Sequence, residues 1–230
     1  MEKLLDEIES YWSTRTEGYS EVNHKELAGT QKNAWLKVLT SQFPDKPKEE
    51  IRILDIGTGP GFFPVILAEA GYHVDAVDYT EGMLEKAKEN AGDLCRNIRF
   101  LRMDAQKLDF EDNTFDVVIS RNLTWNLEHP DVAYREWVRV LKVGGRLLNF
   151  DANWYGYLYE EEQRKAYEND RKNVENNSLD DHYLCTDIER MERIALQVPL
   201  SKISRPQWDV KTLREAGLLG IRTDTEIWKT

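Results

Sequence analysis

The chain has 230 residues, 40% hydrophobic and 32% charged, with a formal net charge of −11 and a pI near 5.0; this is the length and balance of one folded domain with room for a modest insertion. The acidic balance opposes attraction to nucleic-acid phosphates. Because Met1-Glu-Lys-Leu-Leu-Asp-Glu has no apolar signal core and no run is long enough to span a bilayer, a soluble, cytoplasmic protein is expected, with neither nucleic acid nor membrane as partner.

Leu4, Leu5, Ile8, Tyr11 and Trp12 recur at helical spacing, and Leu27, Ala34, Trp35, Val38 and Leu39 suggest a second amphipathic helix. Phe43-Pro-Asp-Lys-Pro-Lys stops it, since each proline lacks an N–H and disfavours helix in the residue before it. From residue 51 strands and helices alternate: strand Arg52–Ile56, helix Phe63–Ala70, strand His73–Val77, helix Glu81–Asn90, strands Ile98–Met103 and Phe115–Ser120, helix Val132–Leu141, strand Arg146–Phe150. Such alternation builds an α/β, Rossmann-like, doubly wound and mostly parallel sheet covered on both faces. Asp112-Asn113-Thr114 reads as a turn, and Gly144-Gly145 as the end of a helix.

Residues 154–206 read as an inserted helical cap. Tyr159 to Val174 is strongly charged and helical in pattern, and Thr186-Asp-Ile-Glu189 fits a capping box that starts a helix from about Asp187 to Leu196. Trp208 to Gly217 reads as a last helix and Ile221 to Trp228 as a strand. Cys95 and Cys185 lie far apart with no partner at ligand spacing, so no disulfide framework and no metal site is expected.

The chemistry concentrates at Ile53-Leu-Asp-Ile-Gly-Thr-Gly-Pro-Gly61, an apolar strand running into three glycines. Gly57 and Gly59 permit backbone conformations closed to other residues and let a ligand approach the main chain. The helix that follows offers free N–H groups to a carboxylate or phosphate. A dinucleotide fingerprint places its third glycine at position 62, where this chain has Phe62. Asp78 closes the next strand about twenty residues beyond the first glycine, where a carboxylate can accept both hydroxyls of a ribose.

The stretch Leu54-Asp55-Ile56-Gly57-Thr58-Gly59-Pro60-Gly61 closely resembles the first motif of class I S-adenosylmethionine-dependent methyltransferases, and the type acting on small molecules in particular. That resemblance covers residues 52–150 and implies S-adenosyl-L-methionine as cofactor and methyl transfer to a small-molecule substrate. It places Asp55, Gly57, Thr58, Gly59 and Gly61 against the cofactor, Asp78 on its ribose, and Tyr79 and Met83 near sugar and adenine. Asp104 and Ala105 fall where an acid and the next backbone N–H meet the adenine, although an Asp after a strand is also common as a simple turn former. Tyr11 to Tyr19 resembles the aromatic segment that folds over the cofactor in many relatives; Tyr19 and Arg15 are candidates there, an aromatic face attracting a sulfonium. The Leu-Lys-Pro-Gly-Gly turn of the family is Leu141-Lys-Val-Gly-Gly145 here.

Ser120-Arg121-Asn122-Leu123-Thr124-Trp125 occupies the place of the cofactor's methionine part, with Arg121 a cofactor candidate and Asn122 a catalytic one. It is neither Asn-Pro-Pro-Tyr nor Asp-Pro-Pro-Tyr, which lowers nucleic-acid and protein amines as substrates. Asp151 and His182 are the remaining catalytic candidates, while His129 reads as structural. The cap carries Trp154, Tyr155, Tyr157, Tyr159, Tyr167 and Tyr183, rings suited to a pocket wall. Residues 160–193 hold eleven acids against six bases, which would tolerate a cationic or amine acceptor.

One methyltransferase domain is expected, with 1–50 as a helical lid, 51–153 as the cofactor core, 154–206 as the cap and 207–230 as a final helix and strand. The family sheet has seven strands, the last two an antiparallel pair, and only one candidate for that pair remains here; with six to seven strands expected, either the sheet has six, a partner such as a second copy in a homodimer completes it, or the cap supplies the other strand from Leu196 to Ile203. A non-catalytic cofactor-binding protein on the same fold is the first alternative. An aminopropyl transferase lacks its acidic signature after the fourth strand, and a nicotinamide oxidoreductase fails at Phe62.

Overall fold

The structure, a computed structural model, describes residues 4–177 and 186–227. Two helices, α1 (Leu4–Ala28) and α2 (Gln31–Thr40), precede a core of β1 (Arg52–Ile56), α3 (Phe62–Glu69), β2 (His73–Asp78), α4 (Glu81–Ala91), β3 (Ile98–Arg102), β4 (Phe115–Arg121), α5 (Pro130–Val140) and β5 (Leu141–Phe150). The cap contributes α6 (Glu161–Asn177) and α7 (Ile188–Ala195), and α8 (Gln207–Glu215) follows. The strand order is β3-β2-β1-β4-β5, and every neighbouring pair is parallel. The chain therefore reverses its winding between β1 and β4, which opens a crevice at the carboxyl ends of those strands.

Side chains alternate across the sheet with the two-residue period of a strand. Leu54, Ile56 and Val118 face one core with Tyr134 and Trp137 of α5. Ile53, Val117 and Ile119 face the other with Phe63, Ile66 and Leu67 of α3. Strands buried on both sides must be apolar throughout, which is why β1 and β4 read as unbroken Ile/Leu/Val runs around single polar residues. The fully buried Trp137 contributes on the order of 1.5–3 kcal/mol through area removed from water, and its indole N–H donates to the Ala105 carbonyl at 2.9 Å.

Four expectations are corrected. Among the described residues the sheet has five strands, not six to seven. Residues 221–227 form no strand; the Glu226 amide folds back to the Asp224 carboxylate at 2.8 Å, a local bond that competes with ladder pairing. The cap supplies no partner either, because Pro199–Ser201 is a single 3-10 turn. Next, α5 ends at Val140 and β5 begins at Leu141, which pairs with Phe115. Gly144 and Gly145 then form an irregularity inside the strand and do not stop the helix: a Cβ on Gly145 would lie 2.9 Å from the Asp116 carbonyl oxygen. Finally, the N-cap of α7 is Asp187, whose carboxylate accepts from the Arg190 amide; the cap lies one residue beyond Thr186 and, with Arg190 at the third helical position, is a single side-chain cap and not the expected box. The Asp112–Thr114 turn forms as read, with Asn113 in the left-handed region.

Candidate active site

The crevice above the switch point is a cavity of about 600 Å³. Its floor is the loop between β1 and α3. Gly57 and Gly59 adopt φ of +69° and +52°, conformations glycine enters without cost. A Cβ on Gly57 would also sit 2.8 Å from Leu123, so both sterics and dihedral require glycine. Gly61 caps α3 in the left-handed region, and Thr58 is buried among them.

Asp78 ends β2 with its two oxygens separately engaged: one accepts from the Gly59 amide at 2.8 Å, the other from the Thr80 amide at 2.9 Å. The Thr80 hydroxyl and the Tyr79 amide also approach it, and the carboxylate lines the cavity as an acceptor-only group of a kind suited to vicinal hydroxyls. Burial raises its pKa, and the amides of Thr80 and Gly59 oppose that rise. Asp55, buried in β1, is pushed up to about 7 by desolvation, with the Asp78 charge adding to it. Buried carboxylates held against their ordinary pKa at the end of parallel strands mark a functional position. Met83 of α4, Tyr79, Asp104 and Ala105 line the same cavity. Asp104 is also a turn former: its carboxylate accepts from the Gln106 amide at 2.9 Å.

The long helix α1 forms one wall through Tyr11, Trp12, Arg15 and Tyr19. Three ion pairs cross from it to the core: Glu9–Arg102 at 3.0 Å, Glu17–Lys86 at 3.0 Å and Glu26–Arg121 at 2.6 Å. Arg121, a cofactor candidate, is thus a fork closed on Glu26. It also lies over the rings of Trp35 and Phe62 at 5.1 Å each. It lines the cavity while both its terminal nitrogens bond to Glu26 of α1. Tyr19 covers the glycine loop, its ring 3.7 Å from the place of a Gly59 Cβ, and burial raises its phenol pKa.

Asn122 lines the cavity in the left-handed region at φ +56°, a conformation that costs a non-glycine residue on the order of 1 kcal/mol or more and persists where surrounding contacts demand it. Its amide donates to Phe150 and its carbonyl accepts from the Trp125 indole at 3.0 Å. Asp151 is not on the lining. Both its oxygens are occupied by Thr124, Trp125, Ala152 and Arg205, so the structure makes it a buried anchor beneath the loop and not a free base. His182 lies outside the described residues. His129 is exposed, and its carbonyl starts α5.

An aromatic wall missed by motif reading joins α1 to the cap. Trp12 meets Tyr19 and Trp125 edge-on at 5.6 and 6.4 Å, and Trp125 stacks on Tyr155 at 5.1 Å. Tyr155 packs toward Tyr157, which stacks flat on Tyr167 at 4.1 Å. Trp154 and Asp170 complete the mouth. Only the richness of rings in the cap hinted at this. Among the described residues no group of His, Cys, Asp and Glu could hold a metal ion, and no helix is long and apolar enough to cross a membrane.

The residues present fit an adenosyl sulfonium amino acid: a carboxylate suited to vicinal hydroxyls, a glycine floor open to close approach, a cavity wall at Met83, Asp104 and Ala105, and carboxylates and rings suited to positive charge. Residues 54–149 match the family described as methyltransferase domain. A demethylmenaquinone methyltransferase of Renibacterium salmoninarum is 31% identical over 148 residues, covering 64% of this chain and 60% of that protein. One of Clavibacter sepedonicus is 41% identical over 98 residues, covering 42% and 39%. The chain therefore spans between two and three fifths of the length of these curated relatives. A solved structure from Methanococcus maripaludis, provisionally assigned as an S-adenosylmethionine-dependent methyltransferase, superposes with a TM-score of 0.58 at 22% identity, covering 89% of this chain and 82% of that one, and shares the fold. Residues 54–149 thus match a methyltransferase domain, and the glycine loop and carboxylates within that span resemble those of the class I S-adenosylmethionine-dependent methyltransferases.

Proposed function

We propose that this protein transfers the methyl group of S-adenosyl-L-methionine to a small planar acceptor of the quinone type for which its relatives are named. The observation that carries this reading is a single cavity that joins the glycine loop and its carboxylates to a wall of aromatic rings. When bound, the cofactor supplies an activated sulfonium methyl for in-line displacement. The chain's own residues orient and dry. Asp78 holds the ribose hydroxyls, Met83, Asp104 and Ala105 frame the adenine, and Asp55, Gly57, Thr58 and Gly59 receive the amino-acid end. Tyr19 closes over the loop. Arg121 acts indirectly, by fastening α1 across the cavity through Glu26.

No histidine, lysine or cysteine lines the cavity among the described residues. Alignment alone can be worth roughly 7–11 kcal/mol, so an acceptor that is itself a good nucleophile, such as a hydroquinone ring, needs no dedicated base. The net charge of −11 and six carboxylates against two arginines on the lining weigh against nucleic acid and against anionic acceptors. In this reading residues 1–50 form the lid and 154–206 the acceptor cap of one domain acting in the cytoplasm, with the open β5 edge available to a second copy.

Calorimetric titration with S-adenosylmethionine, S-adenosylhomocysteine and NADH tests the assignment, alongside Asp78→Ala. Selective binding of the first two, lost in the variant, followed by methyl transfer to a reduced naphthoquinone, is the expected result. Binding without turnover on any acceptor would favour a non-catalytic cofactor-binding role. Absence of binding would end the methyltransferase reading.

A further inference from the structure

The cap is fastened to the loop after β4 by one buried cation. Arg205 precedes α8, and its side chain is only 8% exposed. It reaches Asp209 at 2.7 Å and Asp151 at 3.1 Å, and donates to the Thr124 hydroxyl at 2.8 Å and the Ala152 carbonyl at 3.4 Å. Asp151 in turn accepts from the Thr124 hydroxyl and from the Trp125 amide at 3.0 Å. On the far side Asp209 accepts from the Tyr134 hydroxyl, which itself accepts from the Asn149 amide at 2.9 Å. Three segments distant in sequence meet at this guanidinium, the end of β5, the post-β4 turn and α8, and α5 joins them through Tyr134 and Asp209.

A buried ion network is weak support for stability, because apolar residues of similar volume often serve as well or better. Its distinctive capacity is directional. A guanidinium is a planar fork with donors at fixed angles, and a single ammonium cannot satisfy the same set. Here the direction ends on an aromatic wall: Thr124–Asn126 is one 3-10 turn, and its Trp125 ring stacks on Tyr155 and meets Trp12. We propose that Arg205 is a positioning residue, which sets this turn through Asp151 and Thr124 and so holds the Trp125 indole as the wall of the acceptor half of the cavity. The acceptor role of that wall rests on the function proposed above; the placement of Trp125 does not.

The test uses Arg205→Lys in the full chain. The near-ultraviolet circular dichroism of Trp125 is isolated by subtracting Trp125→Phe in each background. In the parent the stacked Trp125–Tyr155 pair gives a difference band; with Arg205→Lys most of that band disappears. Meanwhile S-adenosylhomocysteine affinity stays within about twofold, because the cofactor floor lies on other elements. With reduced 1,4-naphthoquinone as acceptor, KM rises about tenfold or more while kcat falls far less, the mark of lost acceptor binding. Thr124→Val, which removes the hydroxyl link at nearly constant volume, reproduces the spectral loss and decides the matter if Arg205→Lys does not fold. An unchanged Trp125 band in both variants overturns the proposal, as does a parallel loss of S-adenosylhomocysteine binding. If the parent transfers no methyl to the naphthoquinol, the acceptor reading fails, and the spectral comparison still decides the role of Arg205.

Discussion

Asp55→Asn separates function from stability at the centre of the cofactor floor. The carboxylate lies in β1 with its pKa raised from 3.8 to about 7, first by desolvation and then by Asp78. A carboxyl whose folded pKa is raised binds its proton more tightly in the native state, so ionising it costs the native state stability, and stability falls as pH rises between the two values. At 1.36 kcal/mol per pH unit, the cost is on the order of 2 kcal/mol at pH 5 and on the order of 4 kcal/mol at pH 8.5. Asparagine does not titrate and keeps the shape. Urea unfolding followed by tryptophan fluorescence is therefore expected to show the variant gaining on the parent by on the order of 2 kcal/mol between pH 5 and pH 8.5. The same variant should bind S-adenosylhomocysteine more weakly, since the charge that burdens the free protein is the one a cationic amino-acid group would use. Parent binding near pH 6 should release part of a proton, visible as a dependence of calorimetric heat on buffer ionisation enthalpy. Parallel stability curves for the two proteins across this range would refute the reasoning.

Other consequences follow from the same contacts. Burial opposes the ionisation of Asp116, yet hydrogen bonds from Lys142, Lys46 and the Arg52 amide prevail and lower its pKa from 3.8 to about 2. Its contribution of about 2 kcal/mol is present above pH 4 and lost as pH falls toward 2, so Asp116→Asn should destabilise the protein at pH 7 and converge with the parent in acid unfolding. Gly57→Ala forces a left-handed alanine against Leu123 at 2.8 Å; a loss of at least 1–3 kcal/mol in chemical unfolding is expected, together with loss of S-adenosylhomocysteine binding. Leu67→Ala empties a fully buried position between α3 and β1, at a cost of about 2–5 kcal/mol in the same assay, with cofactor affinity preserved. Glu26→Gln weakens the clamp on Arg121 and should raise the cofactor dissociation rate in stopped-flow displacement; an unchanged rate would separate Arg121 from α1 closure.

The amino-acid sequence alone determined the glycine loop at the cavity floor and the β/α alternation, because both are written in short-range patterns. Three glycines after an apolar strand dictate a loop of left-handed turns, and Asp78 is placed by the length of one helix and one strand. Strands Arg52–Ile56 and Phe115–Arg121 were readable because residues buried on two faces must be apolar without interruption. What only the tertiary structure decided are contacts between segments far apart. Arg121 looked available to a ligand, yet Glu26, 95 residues away, takes both its terminal nitrogens. Asp151 looked like a base at the sheet edge, yet Arg205 and Thr124 consume it. The five strands of the sheet among the described residues and the aromatic wall running from Trp12 to Tyr167 likewise depend on which surfaces meet. Backbone conformation is governed by neighbours along the chain, whereas the partner of a charge or a ring is chosen by burial in three dimensions, where the cost of leaving it unpaired is felt only after the chain has folded.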